Sequence, residues 1–206
     1  MKLVTYRAGA DGEGRLGVMQ DDMVVDVERL GLSYGAAFPG TMLDLIDLGP
    51  DALAALKEAL DGGRDHRVPG VAVPAANVKL LAPIPRPRKN IFGIGLNYVA
   101  HIDESRKPLD APEGLPDKPV VFSKPPTAVI GPGDPIQHNA NITQQLDWEV
   151  ELAVIIGRRA TRITTDEAMA CVFGYSVMVD ISARDNDGVH RGLSRSRQPT
   201  CRQISR

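Results

Sequence analysis

The stretch that decides the fold reads WEVELAVIIG and spans residues 148–157. Its apolar and β-branched residues predict a buried strand. Because successive side chains of a strand point to opposite faces, Glu149 and Glu151 share one face. Two carboxylates about 4 Å apart repel by roughly 4 kcal/mol at an effective dielectric of about 20. The pattern therefore indicates a compensating cation or a shared proton, unless the two residues form the solvated face of an edge strand.

A third acidic residue interrupts the next apolar strand. The stretch GYSVMVDI, residues 174–181, carries Asp180 near its end. Three carboxylates that leave positions open for water and substrate suit Mg²⁺ or Mn²⁺, which prefer octahedral oxygen coordination. Ca²⁺ remains an alternative. Glu149, Glu151 and Asp180 are therefore the candidate metal ligands.

The sequence before these strands divides into a small module and a linker. Over residues 1–70, short apolar stretches between Gly- and Asp-containing turns predict an antiparallel meander. Two helices follow, one capped by Thr41 and one opened by Pro50. Recurrent prolines predict an extended linker over residues 71–88. Residues 89–185 then begin the main domain, and the predicted class is α+β with mostly β structure.

Composition excludes several classes of protein. The hydrophobic content of 43% and charged content of 24% are typical of a globular protein. A net charge of -2 gives no reason to expect nucleic acid or an anionic membrane as a partner. No apolar run approaches the roughly 18 residues of a membrane span, and the N-terminus lacks the apolar region of a signal peptide. We therefore expect a cytoplasmic protein.

Four motifs follow one another along the chain. They are GLNYVAH (95–101), FSKPPTA (122–128), DWEVELAVIIG (147–157) and GYSVMVDISARD (174–185). In order and spacing they resemble the signature segments of the fumarylacetoacetate hydrolase superfamily, over residues 1 to about 185. The resemblance implies a mixed β-roll, usually in a homodimer. It also implies a Mg²⁺ or Mn²⁺ site at the residues matching Glu149, Glu151 and Asp180.

The resemblance further implies a class of reaction. Members hydrolyse, decarboxylate, hydrate or isomerise 2-oxo and β-diketo acids, often in aromatic catabolism, through a metal-stabilised enolate or oxyanion. His101 and Glu104 match the family's proton-handling His-x-x-Glu pair; a surface or capping role for the histidine is the alternative. Lys124 and Arg184 match cations that bind the substrate carboxylate, although both could equally be structural ion-pair partners.

The recognised motifs end at Asp185. Residues 186–206 contain five arginines and three serines without strand or helix periodicity, which predicts a disordered basic tail resembling translation in a shifted frame. Members of the family continue with further strands, so we expect the β-roll to be incomplete in this chain. Two functions follow. One is a metal-dependent enzyme acting on a small 2-oxo or β-diketo acid; the other is an inactive metal-binding fragment or pseudoenzyme.

Overall fold

The computed structural model of the chain describes residues 1–10, 12–62, 69–95, 97 and 118–186. The chain divides into two compact units, one formed by Met1–Pro85 together with the chain from Val129 on, and the other by Arg86–Ala128. Strands predominate over helices in the described ranges, so the predicted α+β class with mostly β structure is confirmed. None of the helices in these ranges is long and apolar enough to cross a membrane.

An antiparallel five-stranded sheet organises the N-terminal part of the larger unit. Its strands are β1 (Lys2–Ala8), β2 (Arg15–Gln20), β3 (Met23–Asp26), β4 (Ala72–Pro74) and β5 (Val78–Leu80). Their order in space is β4-β3-β2-β1-β5. Asp21 adopts a φ of 50° in the turn between β2 and β3, a conformation that Asp tolerates better than most residues. The first three strands therefore form the predicted meander.

The last two strands of this sheet lie in the segment for which a linker is predicted. β4 pairs with β3, with Val73 opposite Val24, and β5 pairs with β1, with Lys79 opposite Arg7. Because β4 and β5 are the two edge strands, a proline such as Pro74 is tolerated there. Residues 72–80 thus extend the N-terminal module beyond its predicted end at residue 70.

Three helices add their apolar faces to those of the sheet. They are α1 (Val27–Leu32), α2 (Met42–Leu48) and α3 (Pro50–Asp61). The Oγ1 atom of Thr41 accepts a hydrogen bond from the backbone N–H of Asp44 at 3.2 Å, so α2 has the predicted cap. The buried core combines residues of the sheet and of all three helices, among them Leu16, Val25, Leu30, Leu45 and Leu56.

Asp26 is a buried carboxylate at the junction of β3 and α1, only 2% exposed. It accepts hydrogen bonds from the Tyr6 hydroxyl, from Arg15 Nε at 2.6 Å and from the backbone N–H of Arg29 at 2.9 Å. The bond from Arg29 caps α1. Arg15 also donates to Glu28 at 2.9 Å. One carboxylate therefore joins two strands and a helix.

Hydrogen bonding decides the ionisation of this network. Burial alone would raise the pKa of Asp26, but the hydrogen bonds from Arg15, Tyr6 and the Arg29 backbone outweigh burial and lower that pKa. Burial raises the pKa of Tyr6 to about 12, and its hydrogen bond to Asp26 adds to the effect. The Tyr6 ring passes close to Gly17, where a Cβ would lie 3.0 Å from a ring carbon. Glycine is therefore needed at that position.

The smaller unit contains one antiparallel pair of strands, β6 (Ile91–Gly95) and β7 (Val120–Lys124). Gly93 lies opposite Phe122, whose ring occupies the space that a Cβ on Gly93 would need. Lys124 ends β7 opposite Ile91.

A long antiparallel ribbon completes the described part of the larger unit. It consists of β8 (Leu146–Ile156) and β9 (Val172–Ala183), with the short helix α4 (Thr165–Ala168) between them in sequence. A register shift interrupts the pairing between Ile155 and Ile156. Ile155 and Phe173 pack against the N-terminal core, so this end of the ribbon is anchored to the module.

One face of the ribbon is apolar and exposed. The side chains at alternate positions of β8 from Trp148 to Ile156 are between 48% and 66% exposed. Leu152 and Val154 face Val177 and Tyr175 on β9, which are exposed as well. The apolar composition predicts a buried strand, and this prediction is wrong for the described chain, because burial depends on what covers the face as well as on its composition.

We predict that replacing Asp26 with alanine destabilises the protein. Breaking a buried ion pair typically costs about 3–5 kcal/mol. Because the Arg15 side chain is 34% exposed, we expect a smaller loss, of about 2–3 kcal/mol in the free energy of unfolding. Urea denaturation at pH 7 measures this loss. The control is Asp22→Asn in the exposed turn between β2 and β3, which should leave stability nearly unchanged.

The same carboxylate predicts a pH dependence. The pKa of Asp26 is lower in the folded state than its ordinary value, so its stabilising effect is complete above the unfolded pKa of about 4. The effect is lost as the pH falls through the folded pKa. The stability difference between the wild type and Asp26→Asn should therefore shrink in acid; a constant difference down to pH 2 would contradict the network.

Candidate functional site

The register of β8 against β9 brings the three predicted metal ligands to one face. Glu149 lies directly opposite Asp180, and Glu151 lies opposite Met178. Directly opposed residues of antiparallel strands carry their side chains on the same face, with Cβ atoms about 4.5–5.5 Å apart. Glu151 shares that face because it lies two positions from Glu149. The backbone therefore places Glu149, Glu151 and Asp180 together at one end of the ribbon.

A fourth carboxylate, which the sequence analysis missed, joins this face. Asp147 lies two positions before Glu149 on β8, so alternation alone could have found it. Asp180 is 3% exposed and the Glu149 side chain 28% exposed. Partly buried carboxylates this close together require compensating positive charge. We refer to Asp147, Glu149, Glu151 and Asp180 as the acid face.

The acid face fits a divalent cation in residue type and register, whereas its side chains do not converge on one. Carboxylate oxygens are the ligands that Mg²⁺ and Mn²⁺ prefer. Among the described residues, however, no three Asp, Glu, His or Cys side chains are arranged so that they could hold a metal ion. The predicted metal centre is thus met by the backbone and not by the side-chain positions.

Arg184 lies against this face. Its Nε donates to Asp147 Oδ2 at 2.9 Å, and its Nη2 donates to Glu149 Oε1. The backbone N–H of Arg184 donates to Gln145 O at 2.9 Å and so continues the pairing of the strands past the end of β9. The hydrogen bond from Arg184 lowers the pKa of Asp147. Sequence left open a substrate-binding or an ion-pairing role for Arg184, and the described structure has the ion pair.

A second contact fixes the same end of the ribbon. Thr143 Oγ1 and the backbone N–H of Gln144 both donate to the Asp185 carboxylate, the latter at 2.7 Å. These hydrogen bonds, led by that of Thr143, lower the pKa of Asp185. His138 Nε2 lies 2.8 Å from Thr143 O. The loop before β8 is thereby tied to the residue that follows Arg184, a contact that no sequence pattern indicated.

An apolar hollow of about 340 Å³ opens beside the ribbon. Its lining residues are Ile136, Leu146, Asp147, Trp148, Val179 and Ile181. The lining includes neither Glu149 nor Glu151 nor Asp180, so this hollow is distinct from the candidate metal centre.

The other predicted site residues are placed as follows. Lys124 is 7% exposed, and its Nζ lies 5.4 Å from the centroid of the Phe122 ring, within the range of a cation–π contact. It belongs to the smaller unit, and its role toward a substrate stays a prediction. His101 and Glu104 lie outside the described residues.

The comparison with known families now identifies the class of protein. Residues 90–201 match the model of the fumarylacetoacetate (FAA) hydrolase C-terminal domain. The chain belongs to the fumarylacetoacetate hydrolase family. The match contains the whole ribbon and extends past Asp185, where the recognised motifs end.

Three relatives illustrate the likeness. Oxaloacetate tautomerase YisK of Bacillus subtilis is 34% identical over 190 residues, which cover 89% of this chain and 62% of that protein. A fumarylacetoacetate hydrolase from Exiguobacterium antarcticum has a TM-score of 0.63 at 32% identity, covering 92% of this chain and 59% of that one. Maleylpyruvate hydrolase from Sphingobium sp. SYK-6, solved with manganese(II) and pyruvate, has a TM-score of 0.67 at 27% identity, covering 98% and 65%. The chain therefore spans about three fifths of these proteins.

We predict that Thr143→Val loosens the carboxylate-bearing end of the ribbon. Valine has nearly the same shape but no hydroxyl, so Asp185 loses one of its donors. Amide hydrogen exchange of Gln144 and Gln145 should become faster, while β1–β3 should keep their protection. Thr143→Ser, which keeps the hydroxyl, is the matched control. Equal exchange in wild type and Thr143→Val would show that this contact does not hold the loop.

Proposed function

We propose that the protein is a divalent-metal-dependent enzyme that interconverts the enol and keto forms of a small 2-oxo dicarboxylic acid such as oxaloacetate. The observation that carries the proposal is the register of the ribbon, with Glu149 opposite Asp180 and Glu151 on the same face. The similarity to oxaloacetate tautomerase YisK supports this choice of reaction. The manganese(II) and pyruvate bound to the related maleylpyruvate hydrolase support a metal and a 2-oxo acid.

Glu149, Glu151 and Asp180 would hold Mg²⁺ or Mn²⁺ through carboxylate oxygens. When bound, the metal would supply Lewis-acid stabilisation of the enolate oxygen. Asp180 is the most buried of the three, so a metal there would compensate a charge that is costly to bury.

The remaining proposed residues handle the proton and the substrate charge. Enol–keto interconversion moves a proton between an oxygen and the neighbouring carbon. His101, with Glu104 raising the basicity of its imidazole, is the proposed base. Lys124 and Arg184 are the proposed partners of the substrate carboxylates.

A second candidate reaction is hydrolysis of a carbon–carbon bond. The similarity to maleylpyruvate hydrolase favours it. Hydrolysis needs an activated water where tautomerisation needs only proton transfer, so the products distinguish the two. A hydrolase would release pyruvate from maleylpyruvate, and a tautomerase would only speed the decay of enol-oxaloacetate. An inactive metal-binding fragment would bind the metal and do neither.

We predict that millimolar Mg²⁺ or Mn²⁺ raises the thermal midpoint of the wild type, measured against EDTA. A ligand at a hundred times its dissociation constant adds about 2.7 kcal/mol to the stability of the native state. For a chain of this size that is a shift of roughly 5–10 °C. Glu151→Gln removes a proposed ligand charge without changing shape, so the shift should largely vanish.

The same variant tests turnover. With metal present, the wild type should accelerate the decay of enol-oxaloacetate, and Glu151→Gln should reduce kcat/KM by roughly two orders of magnitude. The matched control is Glu58→Gln on the exposed side of α3, which should behave as the wild type in both assays. Metal binding without turnover would favour the inactive fragment, and turnover that survives chelation would overturn the metal proposal.

A further inference from the structure

The ion pair between Arg184 and Glu149 places a cation on one of the proposed metal ligands. We infer that Arg184 is a built-in counter-ion of the metal-free acid face, which a metal must displace from Glu149 before the guanidinium is free to bind an anionic substrate. The inference rests on the proposed function, because it concerns the same site. It assigns to Arg184 a role in metal binding as well as in substrate binding.

The geometry explains how one side chain can take both positions. The backbone of Arg184 is held by its hydrogen bond to Gln145 O and by the neighbouring Asp185 contacts. Its guanidinium makes two separate bonds, through Nε to Asp147 and through Nη2 to Glu149. A planar guanidinium with several donors can give up one partner and keep the other. Arg184 can therefore release Glu149 while Asp147 retains it at the site.

Electrostatics makes the two states exclusive. A metal bound to Glu149 and a guanidinium in contact with the same carboxylate are two positive charges only a few ångströms apart, and they repel each other. A carboxylate that accepts a hydrogen bond from Arg184 is also less available to a metal. This agrees with the side chains of the described residues, in which no three potential ligands converge.

Partial exposure makes the displacement feasible. The side chains of Arg184 and Glu149 are 38% and 28% exposed, and ion pairs of this exposure contribute little to stability. A buried pair such as that between Asp26 and Arg15 would be far harder to exchange. The Arg184 contact is thus strong enough to bias metal binding and too weak to prevent it.

The exchange couples the two ligands of the site. If the metal frees Arg184, it improves the binding of an anionic acid, and by thermodynamic linkage the acid improves the binding of the metal. We therefore expect metal to bind before substrate. Removing Arg184 should tighten the binding of metal alone and weaken the binding of acid to the metal-loaded protein, a pair of opposite effects that a purely structural role would not produce.

The test is isothermal titration of the full chain with Mn²⁺ in the absence of any organic acid, followed by titration of the Mn²⁺-loaded protein with pyruvate. Arg184→Gln should bind Mn²⁺ about two- to five-fold more tightly than the wild type, the range expected for losing a partly exposed ion pair. The same variant should bind pyruvate more weakly than the wild type does.

Two further variants separate pairing from charge. Arg184→Lys keeps the positive charge, but its single ammonium group cannot reproduce the two-pronged contact, so its Mn²⁺ affinity should lie between those of wild type and Arg184→Gln. Arg159→Gln makes the same charge change beyond the far end of β8 and should leave both affinities unchanged. If Arg184→Gln does not fold by circular dichroism, Arg184→Lys decides the question alone.

The outcomes distinguish this inference from the proposed function. Equal Mn²⁺ affinities in wild type and the folded Arg184 variants would overturn the counter-ion role and leave the metal proposal standing. Mn²⁺ binding by none of the folded proteins would overturn the metal proposal, and the inference with it. Arg184→Gln and Arg159→Gln tightening Mn²⁺ binding equally would reduce the effect to net charge and would also overturn the inference.

Discussion

The cross-strand pairing of Glu149 with Asp180 is the constraint on which the candidate site depends. A shift of one residue in the register of β8 would move Glu149 and Glu151 to the apolar face and bring Trp148 and Val150 to the acid face. The packing of Ile155 and Phe173 against the N-terminal core opposes such a shift. The small module therefore contributes to the site without supplying a ligand, because it fixes the end of the ribbon that is remote from the carboxylates.

The protein stabilises acidic side chains in two different ways. Asp26 is fully enclosed, and its partners Tyr6, Arg15 and the Arg29 backbone are fixed by the sheet and by α1. The pair formed by Glu149 and Arg184 is partly exposed and joins the end of one strand to the residue after the next. The first arrangement is suited to holding a fold together, whereas the second leaves its carboxylate able to exchange one cation for another.

Local patterns predicted much of this structure, and long-range contacts account for most of the rest. Alternation placed Glu149 and Glu151 on one face, and the turn and cap residues predicted the meander and the starts of α2 and α3. Prolines concealed β4 and β5, because an edge strand tolerates them. The contact between Thr143 and Asp185 joins residues that are 42 positions apart, and no local rule could have found it. The metal, proton-handling and substrate roles come from family resemblance and remain proposals.

The alternation of β8 has a spectroscopic consequence. Trp148 is the single tryptophan of the chain and lies on the apolar face of the ribbon, 66% exposed, next in sequence to Glu149. Its indole therefore points away from the carboxylates although its backbone adjoins them. Its emission should respond to anything that covers the apolar face and remain largely indifferent to cations on the opposite side. The sequence thus carries a native optical reporter that distinguishes association through one face from ligand binding at the other.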